Sequence, residues 1–359
     1  MPTLRRYVAR QFVANLAIVM LAFVGLLQLF ELLAQSDDII KLHGARVAAF
    51  AWHALLNLPE IVTVVAPICV LMAALLTLAR LALQNEVLAL KSAGLSYYRL
   101  LLAFVPVALA VGLLNLLVAD QLMPRTSRAL VQWNAESPKA KTDISIKDGF
   151  WVRDGNLRVR VGRVSPRGEK LAQVTLFELD RRLQVVLRVI AETAEFKDGG
   201  WLLHNANRLA LGEGEPGKFS FAETMPWKTR LTPRQFSDFA SPSSTLAFAD
   251  LARFITHAGI GSHPVSYYLT LFHKRLALPL TALMMVLLAA PVAQSMQRQG
   301  GLARGMAVGV VLGFLYFVAN GFVLTLGEAG ALPPAVAAWS PSLLFATIGA
   351  AALVRMERT

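Results

Sequence analysis

Residues 80–99, RLALQNEVLALKSAGLSYYR, hold a single carboxylate, Glu86, among three basic side chains. On a helix with 100° per residue, Glu86 has no base three or four positions away to pair with, and the residues beside it on the wheel are small. These neighbours are Ala82, Ala89 and Ala93. A carboxylate on a smooth alanine face suits charge-assisted pairing with an arginine of another protein. The stretch therefore predicts a docking helix over about 80–94. The alternative is a helix on the bilayer surface with a solvated Glu86.

Other residue patterns that carry chemistry are missing from the sequence. It contains no G-x-x-x-x-G-K-[ST] loop for ATP, no H-E-x-x-H zinc motif and no G-x-S-x-G nucleophile motif. The six histidines do not fall at metal-ligand spacing on one helix, and Cys69 is the single cysteine. The basic residues follow no nucleic-acid recognition motif. We therefore predict that the chain is not an enzyme, holds no cofactor of its own and does not bind nucleic acid.

The elements that position Glu86 are predicted to be membrane helices. The chain has 359 residues, of which 55% are hydrophobic and only 16% charged, an unusual balance for a soluble protein. About 20 apolar residues are needed to cross a bilayer. Six stretches without Asp, Glu, Lys or Arg approach or exceed that length: 12–30, 61–79, 100–119, 276–297, 305–327 and 329–354. The first run is too long for a cleavable signal and lacks a cleavage site, so we count it as a span.

Basic residues in the short connecting segments predict the orientation of these spans. Lys and Arg mark the cytoplasmic side, and they flank the first span, the 80–99 segment and the end of the sixth span. Both termini and Glu86 are therefore expected in the cytoplasm. The long segment between spans three and four then lies on the outer side. We divide the chain into two membrane halves, 1–135 and 251–359, and an inserted domain, 136–250.

The inserted domain shows the period-two pattern of β-strands. Leu157, Val159 and Val161 alternate with Arg158 and Arg160. Asp-Gly pairs at 148–149, 154–155 and 198–199 supply tight-turn chemistry. The pattern predicts a compact antiparallel β domain and leaves open whether it is a sandwich or a barrel. Residues 121–275 carry 23 bases against 15 acids, which favours either an anionic ligand or a solvated basic surface.

Several runs of the sequence resemble the LptF/LptG family of lipopolysaccharide-export permeases. The resemblance covers nearly the whole chain in order: six spans, a β domain between spans three and four, and the acidic loop. WVRDG, residues 151–155, and LPP, residues 332–334, are nearer the LptG branch. The runs are NEVLALKSAGLS at 85–96, GFWVRDGNLRVRVGRV at 149–164, YYLTLFHKRLALPL at 267–280 and LPPAVAAWSPSLLF at 332–345.

The resemblance implies a fold, a function and partners. The fold is a polytopic α-helical membrane protein with six transmembrane helices and a periplasmic antiparallel β domain of the β-jellyroll kind. The function is that of a permease subunit of an ATP-binding-cassette exporter in the inner membrane of a Gram-negative bacterium. That exporter extracts lipopolysaccharide and passes it to a periplasmic bridge. The implied partners are an LptF-like paralogous permease, an LptB-like ATPase homodimer that binds ATP and Mg, and LptC-like and LptA-like periplasmic proteins.

The resemblance also implies roles for individual residues. Glu86 corresponds to the acid that pairs with a base of the ATPase. Arg125 and Arg128 match the bases that follow span three, where lipid phosphates would bind. A family lysine near the outer end of span one falls at Gln28, so Lys41 or Arg46 would have to replace it. Spans one and five would line the lipid cavity, with candidate lining residues Phe23, Leu27, Phe30, Phe314 and Phe317.

Span five contains several glycines. Glycines 305, 309, 313 and 321 predict close helix contact, because small residues let helix backbones approach.

A lipoprotein-release permease is an alternative to the lipopolysaccharide-export function, although such chains usually show four spans. A membrane scaffold whose β domain binds periplasmic partners is another, and it would not need Glu86.

Overall fold

The computed structural model describes residues 2–86, 92, 97–135, 144–165, 167–180, 182–211, 217–240, 246–256, 263–299 and 302–357. Its N-terminal helices are α1 (Pro2–Ala34), α2 (Ser36–His43), α3 (Val47–Leu83), α4 (Tyr97–Leu101), α5 (Val105–Leu117) and α6 (Met123–Ala135). A π-helical segment, Val118–Leu122, joins α5 to α6. The C-terminal helices are α7 (Pro233–Ala240), α8 (Phe248–Thr256), α9 (Val265–Leu276), α10 (Leu278–Gln299), α11 (Leu302–Glu328) and α12 (Pro334–Glu357).

The predicted membrane spans are confirmed as long apolar helices. Within the described ranges, five helices are long and apolar enough to cross a bilayer, and a sixth span forms when the bent pair α9–α10 counts as one. This pair is bent by 52°. Several helices extend well past the predicted limits. The 37 residues of α3 reach about 55 Å at ~1.5 Å per residue, which exceeds the ~30 Å hydrocarbon core.

Helices α3 and α10 are the most buried helices of the membrane bundle, and α10 packs against α5, α11 and α12. In the most apolar window of α3, 67% of the residues are buried within the chain, against 11% in α1 and 22% in α11. Cys69, Leu71 and Leu75 of α3 are completely buried. Helices α1 and α11 therefore pack against the bundle by one side and expose most of their apolar surface.

Glycines allow the closest contacts within this bundle. A Cβ added at Gly313 of α11 would lie 2.7 Å from Ile68 on α3, and one added at Gly309 would overlap Leu75 of the same helix. The predicted close packing is thus confirmed at these two positions. It is wrong at Gly321, where no atom of the described residues lies within 4 Å of an added Cβ. Gly112 of α5 makes a further contact that the sequence did not indicate, because its added Cβ would lie 2.6 Å from the backbone of Pro279.

The inserted segment forms one six-stranded antiparallel sheet in the order β1 to β6, which confirms the predicted β fold. Each strand pairs with its neighbours in sequence, as expected for strands joined by tight turns. Asp198 and Gly199, a predicted turn pair, both adopt positive φ angles. The strands are β1 (Ile144–Asp154), β2 (Leu157–Val164), β3 (Lys170–Leu179), β4 (Val185–Lys197), β5 (Gly200–Ala210) and β6 (Phe219–Trp227).

Four strands change their burial pattern at one common level, which we call the crease: Gly162, Gln173, Glu192 and Asn205. The strand registers run unbroken on both sides of the crease but omit the pairs at this level. A regular strand buries every second residue, whereas here each strand has two buried residues three apart across the crease; in β3, Ala172 is buried as well. These pairs are Val161 and Val164, Leu171 and Val174, Ala191 and Ala194, and Leu203 and Ala206. The crease therefore keeps apolar side chains on the buried face of both halves of each strand.

Helix α7 packs against the buried face of the sheet through aromatic residues. Phe236 of α7 is fully buried, and its ring centroid lies 5.1 Å from that of Trp201 and 5.9 Å from that of Trp227. The indole N–H of Trp201 donates to the carbonyl of Leu231 at 2.8 Å. These contacts close one end of the apolar core of the β domain.

Two compact units make up the chain. The first contains residues 1–35, 57–123 and 269–359, and the second contains residues 36–56 and 124–268. The first holds most of the membrane helices, and the second holds the sheet together with α2, α6, α7 and α8. The helices α3 and α9 each contribute residues to both units.

We expect Gly112→Ala to destabilise the membrane bundle. The new methyl group would collide with the backbone of Pro279, and overpacking of this kind costs about 1–3 kcal/mol. Gly321→Ala is the matched control, because its methyl group would meet open space. Thermal unfolding in detergent, followed by circular dichroism, should show a lower melting temperature for Gly112→Ala alone. Equal melting temperatures for the two variants would contradict the packing of α5 on α10.

Candidate coupling and lipid-binding sites

Glu86 lies just beyond the end of α3. The helix stops at Leu83, and the backbone N–H of Asn85 donates to the carbonyl of Ala82 at 3.0 Å in a tight turn. Asn85 has a φ angle of +58°, a left-handed conformation that asparagine adopts more readily than most residues and that ends a helix. Residues 80–83 of the predicted docking helix thus belong to the span, and a single helical wheel does not continue through Asn85.

Tyr7 of α1 binds the Glu86 carboxylate. Its hydroxyl donates a hydrogen bond of 3.0 Å to Oε1 of Glu86. The tyrosine is partly exposed and Glu86 is half-buried. This bond joins the N-terminal end of α1 to the end of α3, 79 residues away along the sequence. The helical wheel could not reveal it, because a wheel compares only residues that are close in sequence.

The predicted alanine face is described at only one position. Ala82 is half-buried and packs against the core of the bundle, so part of this alanine surface is used within the chain. Ala89 and Ala93 lie outside the described residues. The docking face itself therefore stays a prediction.

The predicted lipid-binding base Arg128 of α6 is engaged by an acid of the same chain. Its guanidinium lies 2.6 Å from Oδ2 of Asp250 on α8. The Asp250 side chain is only 13% exposed and also accepts the backbone N–H of Ala247 at 3.2 Å. Arg125, one helical turn before Arg128, is exposed. The structure thus gives the two arginines different surroundings: the Arg128 side chain is half-buried against Asp250, and the Arg125 side chain is exposed.

Arg46 is one of the residues that line a pocket of about 420 Å³ with cationic and aromatic walls. The other side chains that define the pocket include His43, Trp52 and Trp133. The rings of His43 and Trp133 stack with centroids 3.5 Å apart and an angle of 5°. Tryptophan and arginine are typical of the bilayer interface, where one end of a side chain is apolar and the other polar. Lys41, the other candidate base, is exposed and lies 3.9 Å from Asp38.

Gln28, which stands where the family lysine was expected, is half-buried in α1. Within the described part of the chain, neither the oxygen nor the nitrogen of its side-chain amide has a hydrogen-bond partner, and both atoms are buried. Buried polar atoms are normally satisfied. This position therefore suits a polar group that comes from outside the chain.

An ion pair in the membrane bundle escaped sequence analysis. The guanidinium of Arg275 lies 3.6 Å from the carboxylate of Asp120, and the two side chains are 11% and 15% exposed. Both residues stood at the edges of predicted spans, where a charge is unremarkable in sequence. Asp120 belongs to the π-helical segment, and π-turns are frequent at functional positions. Charges within a membrane bundle are costly unless paired, so this pair ties the segment to α9.

The candidate cavity residues lie on the two helices with most exposed apolar surface. Leu27 and Phe30 of α1 are exposed, and so are Phe314 and Phe317 of α11. Phe23 is the exception, because it is half-buried against the core of the bundle. Large exposed apolar faces mark lipid or protein contacts.

Comparison with known proteins gives matches over almost the full chain. A family model described as lipopolysaccharide export system permease LptF/LptG matches residues 6–355. The lipopolysaccharide export system permease protein LptG of Haemophilus influenzae is 24% identical over 350 residues, 96% of each chain. The protein of the same name from Escherichia coli K12 is 25% identical over 309 residues, 84% of each chain. The matched region includes both membrane halves and the β domain.

We expect Arg128→Met to destabilise the unit that contains the β domain. The change removes the closer of the two cations described near Asp250, the other being Arg253 at 3.9 Å, and loss of a hydrogen bond to a charged group costs about 1.5–3 kcal/mol. Arg125→Met is the matched control on the same helix, because Arg125 is exposed. Urea unfolding followed by tryptophan fluorescence should show a lower midpoint for Arg128→Met only. Addition of Asp250→Asn should restore part of the loss, and equal midpoints for the two single variants would refute the structural role of this pair.

Proposed function

This chain belongs to the LptF/LptG family of lipopolysaccharide export permeases, and on that premise we propose that it is the LptG-like subunit of an ATP-driven lipopolysaccharide exporter. It resides in the inner membrane, with both termini in the cytoplasm and the β domain in the periplasm. Its partners are an LptF-like permease, an LptB-like ATPase pair that holds ATP and Mg, and LptC-like and LptA-like proteins that receive the lipid.

The observation that carries this proposal is the position of Glu86. The carboxylate lies just beyond the end of α3 and accepts one described hydrogen bond, from Tyr7. A carboxylate accepts about four hydrogen bonds, so it retains capacity for an arginine of the ATPase. Charge-assisted bonds of this type are about twice as strong as neutral ones. A contact made at Glu86 would act on α1 and α3 together, because Tyr7 links them.

A displacement at Glu86 can be transmitted to the wall of the lipid cavity through α3 and α11, which contact each other. Helix α3 connects the Glu86 turn to the interior of the bundle, where Ile68 and Leu75 meet Gly313 and Gly309 of α11. A displacement of α3 would be transmitted to α11 through these two contacts. ATP binding to the partner subunits shifts the bundle between two states by binding one of them more tightly. Closure narrows the cavity beside α1 and α11 and expels the lipid.

The chemistry of the outer residues fits the two parts of the lipid. Arg125, Arg46 and Lys41 are exposed bases that can pair with phosphates. Leu27, Phe30, Phe314 and Phe317 offer apolar surface to acyl chains. The apolar core of the β domain provides the next surface for these chains, and α7 has to move away from the sheet to admit them.

We expect Glu86→Gln to uncouple ATP hydrolysis from lipid transport. The change keeps the bond from Tyr7 but removes the charge that an arginine would pair with. Loss of a charge-assisted bond worth ~1.5–3 kcal/mol corresponds to about a 10- to 100-fold weaker contact. The measurement is lipopolysaccharide release and ATP hydrolysis by the purified complex in vesicles. Gln84→Ala is the control, because Gln84 is an exposed neighbour in the same turn. Wild-type release and complex yield with Glu86→Gln would refute the proposal.

Tyr7→Phe tests whether α1 shares in the coupling. The variant deletes the hydroxyl that donates to Glu86 and leaves the ring in place. A neutral bond contributes about 0.5–1.5 kcal/mol, so we expect release to fall about 2- to 10-fold, less than with Glu86→Gln. In the double variant, the two effects should not add, since both residues act through one contact. Fully additive losses would show that Tyr7 acts independently of Glu86.

A further inference from the structure

The exposed side of the crease forms a cleft of about 490 Å³ on the β domain. Its residues come from all six strands. Polar side chains of four chemical types predominate: guanidinium, carboxylate, amide and hydroxyl. The lining residues are Gly149, Arg160, Gly162, Gln173, Thr175, Ile190, Ala191, Glu192, Asn205, Asn207 and Phe221. The cleft has no role in the coupling mechanism or in the apolar core.

Two residues of the cleft hold an unfavourable backbone conformation. Gln173 has a φ angle of +57° and Asn205 one of +52°, both inside strands. A left-handed residue other than glycine costs on the order of 1 kcal/mol, and such residues cluster at functional sites. Glycine would relieve this cost at either position. The chain instead carries amide side chains there, and these amides line the cleft.

The crease also sets the side chains of neighbouring strands in contact. Nδ2 of Asn205 donates to Oε2 of Glu192 at 2.8 Å. A Cβ added at Gly162 would lie 2.5 Å from Oε1 of Gln173, so the glycine leaves room for the Gln173 amide to lie across β2. The amides and the carboxylate thus form one polar row.

A second row runs beside the crease in strict cross-strand register: Arg160 with Thr175, Thr175 with Ile190, Ile190 with Asn207, and Asn207 with Phe221. Directly opposed side chains lie about 4.5–5.5 Å apart at Cβ. Their neighbours along the strands, such as Val161 and Val174, are buried on the other face. The cleft and the apolar core therefore occupy opposite faces of the same strands.

We propose that this cleft binds a sugar ring of a saccharide without net charge. Amide, carboxylate and guanidinium groups are planar and can each exchange two hydrogen bonds with adjacent hydroxyl groups. Arg160 and Glu192 contribute opposite charges, which favours neither an anion nor a cation. Phe221 is 62% exposed and presents an apolar ring to the C–H face of a sugar. An acyl chain is a poor occupant, because most of the lining side chains are polar and would lose water.

The source of the sugar rests on the proposed function. A lipopolysaccharide joins apolar chains to hydrophilic sugars, and the β domain has an apolar core on one face and the polar cleft on the other. The cleft would hold the saccharide part while the acyl chains occupy the core. Phe221 brings one end of the cleft to β6, an edge strand of the described sheet, where an amphiphile can reach both faces.

The test measures binding of a lipid-free oligosaccharide to the full chain; the oligosaccharide is released from lipopolysaccharide by mild acid, then dephosphorylated and carboxyl-reduced so that it carries no net charge. The chain is kept in a zwitterionic detergent that carries no sugar, and saturation-transfer NMR reports binding. We expect weak binding that falls at least fivefold in Asn205→Gly and in Asn207→Ala. Asn205→Gly deletes the amide but accepts the left-handed backbone, so its fold should be retained. Asn156→Ala, an exposed asparagine in the β1–β2 turn, is the matched control and should bind as the wild type does.

Three results would overturn the proposal. These are no binding by the wild type, equal binding by all variants, and loss of binding on addition of inorganic phosphate, which would indicate an anion site. The outcome is separable from that of the proposed function. Absent saccharide binding together with uncoupling by Glu86→Gln defeats only the cleft. Saccharide binding that depends on Asn205, together with normal export by Glu86→Gln, defeats only the coupling mechanism.

Discussion

Inside hydrocarbon, every backbone N–H and C=O group has to be satisfied within the chain, and this requirement determines where the protein can place its chemistry. It produces helices such as α3, whose interior is occupied by packing residues like Leu71. Glu86 lies at a helix end, and Arg275 and Asp120 form a close pair. In the β domain, the strand ladders satisfy the backbone groups, and the sheet exposes polar side chains at the cleft. The proposed coupling residue thus lies at the end of a span, and the proposed recognition site lies on the sheet.

Sequence reasoning succeeded where the signal is local. Apolar runs predicted the spans and alternation predicted the strands, because both depend on residues within a few positions of one another. It failed where the partner is distant. The bond from Tyr7 to Glu86 and the pair of Arg128 with Asp250, 122 residues apart, depend on how the chain folds back on itself. Asn85 shows a further limit, because one left-handed residue ended a helix that the wheel had continued.

The crease shows why a β pattern can mislead even when the strands are predicted correctly. Val159 and Val161 alternate with less buried residues. If this alternation is continued past Gly162, it assigns the wrong residue to the buried face, because Val164 is the next buried residue. The shift occurs at the same level in four paired strands. A shift in a single strand would bring polar side chains into the core, whereas a shift shared by neighbours keeps all buried positions together. The pattern is therefore a property of the whole sheet, and no single strand reveals it.

The crease also explains how one sheet presents an apolar surface on one face and a polar cleft on the other. A regular strand has one buried and one exposed set of residues in strict alternation. The left-handed residues Gln173 and Asn205 lie where this alternation shifts in β3 and β5, and the apolar set stays buried on both sides of the shift. Backbone strain thus serves the core and the cleft at once. Glycine at either position would ease the strain but remove an amide from the cleft, so the conformation alone does not account for the residues that occupy it.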